Sequence, residues 1–537
     1  VLVVHRLVRL TGDPLAPHLL FPTMNESSSA SAAADSIDIV ARAVAHGRRT
    51  AIVDDDGPIT YADLAAGARR GAAALLDGRA DLGERRVALL VPPGRDYVTA
   101  QWATWLAGGI SVPLCLAHPP AEMDHVVADS GADVIVAHPR HGETAARLAA
   151  THALRLVTTD ALTAAAAPSS LPAVEPSRRA LVVYTSGTTG KPKGAVATHA
   201  SLRSQIEGLV EAWEWTADDR ILHVLPLHHV HGIVNVLCCA LWAGAACEML
   251  PRFDGEEVWR RFESGRITLF MAVPVIYHRL LAAWEAAPPE RRAAWRSACD
   301  RLRLMVCGSA ALPVPLLEAW REATGHVLLE RYGMTEIGMA LSNPLHGPRI
   351  PGTVGRPLPG VEVRLVDESG RPSVPGEPGE IEVRGGNVFR EYWGRPAETA
   401  AAFRDGWFRT GDIAACDDGV YRILGRNNVD IIKTGAYKVS ALEIEQELLG
   451  RDDVEECAVV GVPDDEWGER VAAAVKWRAG AGASLEELRA WCKERLAVYK
   501  VPSRLLAVPE LPRNAMGKVV KKDVAALFAA TPAEASG

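Results

Sequence analysis

Short apolar runs recur between longer stretches with the Ala/Leu/Arg texture of amphipathic helices, and this alternation constrains the fold more than any other feature of the chain. Residues 61–76 have the helical texture, whereas 87–91, 134–137 and 180–184 are almost wholly apolar. Runs apolar at successive positions suit strands covered on both faces, the condition of parallel sheets flanked by helices. Beyond Pro351 the texture changes: alternating segments at 361–366 and 380–384 lie between Gly/Pro turns, which predicts a β-rich subdomain. After Gly425 a smaller unit follows, with helices predicted at 440–449 and 484–496 and strands near 457–462 and 471–477. The expected fold is therefore α/β: a large N-terminal domain of several subdomains with parallel sheets and a β-rich part, then a small α+β C-terminal domain. A chain of 537 residues exceeds what one core usually serves, and the expected division is 36–425 and 426–537.

Charge narrows the function classes. Lys plus Arg number 58 against 66 Asp plus Glu, a formal net charge of −8, which argues against bulk electrostatic binding to nucleic acid or anionic lipid. An anionic ligand must then meet cations gathered locally. The most apolar stretch, 233–247, is too short to span a bilayer and contains Asn235, so it is expected to be a buried helix. Nine scattered cysteines with no C-x-x-C pair read as free thiols of a reducing compartment. Residues 1–35 are expected to be flexible. The first 23 read as an over-extended reading frame with Met24 as the start, and so as a bacterial cytoplasmic protein. The alternative is an organelle leader, which would place the protein in the mitochondrial matrix, but a transit peptide should be richer in Arg and Ser.

The sharpest local signal is Tyr184-Thr-Ser-Gly-Thr-Thr-Gly-Lys-Pro-Lys-Gly194, directly after the apolar run at 180–183. Gly187, Gly190 and Gly194 permit close backbone approach, while Thr185, Ser186, Thr188, Thr189 and two lysines, among them Lys193, offer donors and positive charge. These are the requirements for holding a polyphosphate. The spacing is not that of a Walker A loop, because Pro192 stands where its second glycine would be needed.

This loop resembles the phosphate-binding loop of the adenylate-forming superfamily, which includes acyl-CoA synthetases, adenylation domains and luciferases. Further motifs follow in that family's order: Arg331-Tyr-Gly-Met-Thr-Glu336, Thr410-Gly-Asp412, Gly425-Arg426 leading to Asp430, and Pro512-Arg-Asn-Ala-Met-Gly-Lys518. The resemblance covers about residues 36–525. It implies two half-reactions: a carboxylate attacks the α-phosphorus of ATP to give an acyl-adenylate and pyrophosphate, and a thiol then displaces AMP. Both steps rest on positioning and charge stabilisation. The implied cofactors and substrates are ATP, Mg²⁺ and coenzyme A.

By the resemblance, Thr185, Ser186, Gly187, Thr188, Thr189, Gly190 and Lys193 hold the β and γ phosphates. Tyr332 and Gly333 lie against the adenine, Thr335 contacts the α-phosphate, and Glu336 helps to hold Mg²⁺. Asp412 accepts from the ribose hydroxyls and Arg426 contacts ribose or phosphate. Lys518 is the expected adenylation lysine, a flexible point charge that can be delivered and withdrawn. Asp430 is the expected hinge about which a mobile C-terminal domain swings.

The finer text resembles malonyl-CoA and methylmalonyl-CoA synthetases, through Leu225-Pro-Leu-His-His-Val-His-Gly232, the segment from Met271 to Leu281, Gly308-Ser-Ala-Ala-Leu-Pro313 and the segment from Val429 to Val439. Burying the second carboxylate of such an acid unpaired would cost several kcal/mol. Arg279 is the expected partner for it, with Ser309 adding a hydroxyl and His231 walling the pocket. His228, His229 and His231 have no zinc-site spacing. The chain departs from the family at Ala436, where glycine is common, so the methyl group could narrow the thiol tunnel that Ala436 and Lys438 are expected to flank. The expected substrates are malonate and methylmalonate, with no nucleic-acid partner and no membrane span, in a monomer or homodimer. The alternatives are a CoA ligase for another short acid, a stand-alone adenylation enzyme loading a carrier protein, and a silent nucleotide-binding protein.

Overall fold

The computed structural model describes residues 37–185, 192–374, 376–426, 429–434, 437–464, 467–513 and 518–530. Four sheets organise them. The apolar runs at 87–91, 134–137 and 180–184 become strands of the seven-stranded sheet, and a nine-stranded sheet supplies a second parallel centre. In the nine-stranded sheet, Leu329–Met334, Leu304–Cys307, Leu269–Ala272, Arg220–His223, Ala246–Met249 and Thr50–Asp54 lie side by side and parallel. Antiparallel strands flank both sides, Gly338–Ser342 followed by the short edge strand Arg356–Pro357 on one and Gly57–Thr60 on the other. The seven-stranded sheet centres on Arg86–Leu90, parallel to Ile110–Pro113 and Val134–Ala137. Its Arg179–Thr185 strand turns back into Lys193–Thr198 as an antiparallel pair.

The β-rich part is a five-stranded sheet in which Gly379–Gly385 pairs with Val361–Val366 and Trp407–Asp417, and the last of these pairs with Val420–Arg426. The fourth sheet begins at Ile431–Thr434, and its central strand Gly468–Trp477 is flanked by Val454–Asp464 and a parallel Arg504–Ala507. Arg426 is thus the last residue of one sheet and Ile431 the first of the next. Helix starts follow capping chemistry. The Ser440 side chain accepts from the Glu443 amide to open Ala441–Leu449. Ser484 and Glu487 form a reciprocal box that opens Leu485–Lys493.

The 233–247 stretch corrects one expectation. It is buried, but it is not one helix: His231–Cys238 is a π-helical segment, Cys239–Ala243 continues it, and Gly244, at φ 81°, stops the helix. The chain then enters the Ala246–Met249 strand. Length and apolarity do not separate a helix followed by a strand from one helix, whereas a glycine that accepts the left-handed conformation does.

The core beside the nine-stranded sheet holds a tryptophan cluster. Trp259, Trp295 and Trp320 are fully buried, with Trp259 stacked on Trp295 at 4.8 Å between centroids and 6° between planes. Replacing Trp259 with alanine should destabilise the protein by about 3–5 kcal/mol, because the surrounding rings cannot collapse into the space. Urea unfolding monitored by circular dichroism would check this, and a loss under ~1 kcal/mol would contradict it.

Candidate active site

The carboxyl ends of parallel strands and the β-rich sheet together bring distant motifs to one place. Asp412 and Arg426 lie opposite each other in the register of adjacent antiparallel strands, and Arg426 Nε donates to Asp412 Oδ1 at 3.2 Å. Tyr332, from the nine-stranded sheet, donates its hydroxyl to Asp412 Oδ2 at 2.5 Å. Burial raises the Asp412 pKa, against the opposing pull of Arg426, Tyr332 and Lys518. Burial and the neighbouring Asp412 likewise push the Tyr332 phenol well up.

Lys518 belongs to the same electrostatic neighbourhood although it comes from the far end of the chain. Desolvation and Arg426 lower its pKa, while Asp430 and Asp412 oppose them. Two residues of the fourth sheet's unit, Glu445 and Lys521, tie this end down. Lys521 Nζ bridges Asp430 Oδ1 and Glu445 Oε1, each at 2.7 Å. Asp430 also accepts from the Arg426 amide at 3.1 Å, so it is held on both sides rather than loose in an exposed loop.

Thr335 and Glu336 occupy the turn that joins Leu329–Met334 to Gly338–Ser342. Gly333 is required there: a Cβ on it would stand 2.0 Å from the Gly338 carbonyl oxygen. Glu336 is buried, which raises its pKa, and its Oε1 accepts the Tyr392 hydroxyl at 2.9 Å. Tyr392 in turn offers its ring to the Lys193 ammonium, 5.4 Å from the centroid. Lys193 makes an ion pair with Glu398, so a polyphosphate there would compete with a carboxylate for the lysine. Thr185 and Lys193 are cross-strand partners that frame the phosphate loop. Ser186, Gly187, Thr188, Thr189 and Gly190 lie outside the described residues, as do Ala436 and the side chain of Lys438.

A second group forms where the π-helical segment begins. His231 Nδ1 and Ser309 Oγ are 3.1 Å apart, and burial together with Arg331 drives the imidazole pKa well down, so the ring is neutral. Ser309 is held at φ 69°, an uncommon conformation for a residue with a side chain. The His228 and His229 rings lie tilted against each other with centroids 4.1 Å apart, and burial lowers them to about 2 and about 4. Among the described residues, no three His, Cys, Asp or Glu side chains gather as a metal site. Arg279 is not brought into this group by any hydrogen bond or ion pair among the described residues: it is exposed on the Pro274–Ala286 helix, whose buried face is Ile276, Tyr277, Leu280 and Leu281.

Sequence reasoning missed Tyr392, which holds Glu336 from 56 residues away, and Arg331, which lies inside a motif already noticed. No spacing rule marks Tyr392. Arg331 carried only the signal of its place directly before the motif tyrosine.

Comparison with known proteins agrees with this assembly. Residues 39–393 match the AMP-binding enzyme family and residues 443–518 its C-terminal domain. Mouse (Mus musculus) mitochondrial malonate–CoA ligase ACSF3 is 48% identical, over 94% of this chain and 92% of its own. The malonate–CoA ligase of Arabidopsis thaliana is 44% identical over 83% and 79%. The crystal structure of ATP-bound MatB from Rhodopseudomonas palustris superposes with a TM-score of 0.84 at 36% identity, covering 91% of this chain and 98% of that one. No helix among the described residues is long and apolar enough to cross a membrane. Motif order, sheet architecture and these matches converge: the chain belongs to the AMP-binding enzyme family, the adenylate-forming superfamily.

Proposed function

We propose that this protein is an AMP-forming malonate–CoA ligase. It would activate the free diacid with ATP as an acyl-adenylate and pass the acyl group to the thiol of coenzyme A. The observation that carries the reaction class is the meeting of Tyr332, Asp412, Arg426 and Lys518, four groups from separate segments that share one field. The identity of the acid rests on the kinship with malonate–CoA ligases over nearly the whole chain. Methylmalonate is the proposed second substrate.

In this reading Tyr332 and Gly333 border the adenine, Asp412 takes the ribose hydroxyls, and Arg426 and Thr335 face ribose and α-phosphate. Lys193, Thr185 and the loop residues Ser186, Gly187, Thr188, Thr189 and Gly190 take the outer phosphates. Lys518 bridges the acid's carboxylate and the α-phosphate. Glu336 fits Mg²⁺: the ion keeps several waters and is commonly held by one or two carboxylates plus substrate phosphates, and a buried carboxylate whose charge is penalised by desolvation is such a donor. When bound, the ion would offset negative charge on the phosphates. We assign residues 36–425 to the large domain and 426–537 to the mobile one, with the hinge at Asp430. Lys438 and Ala436 would flank the thiol, and Ser309, His231 and Arg279 the acid. A mitochondrial location, that of the mouse relative by its name, is the proposed one.

The test is an acid panel with ATP, Mg²⁺ and CoA, following AMP release. Malonate should be the best substrate, and activity confined to monocarboxylates would overturn the assignment of the acid while leaving the reaction class. On the same panel, Arg279→Ala should lower kcat/KM for malonate more than tenfold while sparing butyrate. Equal losses on both would remove Arg279 from the acid site, as its exposed position already invites asking.

A further inference from the structure

Lys521 is a cation where the backbone disfavours one. It is the first residue of the Lys521–Ala530 helix, at the positive end of the helix dipole, and its side chain is only 11% exposed. Two buried carboxylates hold it there: Asp430 and Glu445, 15% and 14% exposed, each 2.7 Å from the ammonium. Desolvation works against the charge, yet Glu445 and Asp430 outweigh it and keep the Lys521 pKa above the ordinary lysine value. Without the lysine, two carboxylates would share one dry place, and a buried ion cluster that loses one partner is strongly disfavoured.

The two carboxylates have different duties. Glu445 Oε1 also accepts the Val459 amide at 2.7 Å, so it belongs to the packing of the Ala441–Leu449 helix on the Val454–Asp464 strand. Asp430 stands in the crossing between the β-rich sheet and the fourth sheet, and its oxygens are divided between them. Oδ2 accepts the Arg426 amide at the end of one sheet, and Oδ1 pairs with Lys521 beside the other. Its backbone is held in the same way, with the amide donating to the Arg426 carbonyl at 2.8 Å and the carbonyl accepting from the Ala441 amide at 2.7 Å.

Lys521 also directly follows the stem that presents Lys518. Val519 bridges Arg513 as an antiparallel pair, and the Val520 amide donates to the Pro512 carbonyl at 2.9 Å. Three residue steps from Lys521 to Lys518 reach at most about 11 Å, so pinning the first restricts the second. The Lys518 ammonium in turn lies in the field of Asp412 and Arg426.

We propose that Lys521 is a positioning residue for the adenylation step: its ion pair with Asp430 locks the Lys518 segment to the crossing between the sheets and so sets the place of Lys518 beside Asp412 and Arg426. This rests on the two-step reading above and adds to it a second lysine that never meets the substrate.

The experiment uses the full-length protein with malonate, ATP and Mg²⁺. It measures pyrophosphate release without CoA, and separately thioester formation from preformed malonyl-adenylate. Lys521→Met should slow pyrophosphate release at least thirtyfold, with KM for ATP and malonate and the thioester rate all within threefold of wild type, because a small misplacement of a reacting charge is costly. Lys521→Arg should recover the rate to within fivefold. Asp430→Asn, which keeps an acceptor for the Arg426 amide, should lose at least tenfold in the same half-reaction. The double variant should be no slower than the slower single one, since both remove one contact. Glu445→Gln, which keeps the Val459 bond and leaves Lys521 on Asp430, should stay within threefold. Losses that multiply in the double variant overturn the proposal. So does a Glu445→Gln variant as slow as Lys521→Met, or an equal loss of both half-reactions in Lys521→Met, either of which makes the cluster purely structural. If Lys521→Met does not fold, Asp430→Asn decides, and a pyrophosphate rate within threefold of wild type there rejects the lock. If wild type releases no pyrophosphate with malonate, the assignment of the acid fails, and the same comparison runs on the acid that the panel selects.

Discussion

Lys518→Ala should reduce adenylate formation at least a thousandfold, measured as pyrophosphate release in the absence of CoA, while thioester formation from preformed malonyl-adenylate stays within about fivefold of wild type. The asymmetry follows from geometry. Lys518 stands among Asp412, Asp430 and Arg426, where, on the proposed reading, its single mobile charge would serve the attack on the α-phosphorus rather than the thiol step. Loss of both half-reactions alike would point to misfolding or to another lysine. The same neighbourhood sets a pH dependence. Desolvation and Arg426 hold the Lys518 pKa below the ordinary lysine value, and the ammonium is the working form. The alkaline fall of kcat/KM for adenylation, which reports the free enzyme, should therefore begin at lower pH than a solvated lysine would give. Lys518→Arg, whose charge persists, should remove that limb even if the rate is poor.

Glu336→Gln should lower the adenylation rate several-hundredfold and raise the Mg²⁺ concentration needed for half-maximal activity at least tenfold, as followed by pyrophosphate release across a Mg²⁺ titration. The amide is isosteric and can still accept the Tyr392 hydroxyl, so what it removes is the charge. Stability should move the other way. The Glu336 pKa is raised in the folded protein, so between the ordinary glutamate value and that raised value the native state binds more protons than the unfolded one. Stability then falls as pH rises through the window, and at neutral pH the buried charge is a net cost. The variant should melt no lower than wild type at pH 7.5. A rate near wild type with an unchanged Mg²⁺ requirement would remove Glu336 from the metal role.

What the sequence made legible follows from where the information is local. Tyr332, Asp412, Arg426 and Lys518 could be named because each sits inside a short motif, and the apolar runs named three strands of the seven-stranded sheet. Pairings across the chain had no such mark. That Tyr392 would hold Glu336, or that Lys521 would bridge Asp430 and Glu445, depends on which sheet edges meet, and no periodicity encodes that. Arg279 could be named because a guanidinium can clasp a carboxylate with two hydrogen bonds, but its exposure on the Pro274–Ala286 helix depends on helix phase. Arg331 sat in plain view, but burial without a partner is a property of the folded core and not of the letters. The 233–247 segment shows a further limit, since one glycine divides a helix from a strand of equal apolarity.

The single crossing of the backbone between Arg426 and Ile431 has a kinetic meaning. Asp412 and Arg426 stand on one side of it and Lys518 on the other, so on the proposed domain motion each return of the lysine to the nucleotide would be an intramolecular encounter. Short tethers of this kind supply effective concentrations on the order of millimolar. A cut in that crossing would turn delivery of the lysine into a bimolecular event. At micromolar protein, adenylation would then become first order in the severed fragment, and mixing the three-sheet and one-sheet pieces would restore it only as far as their mutual affinity allows.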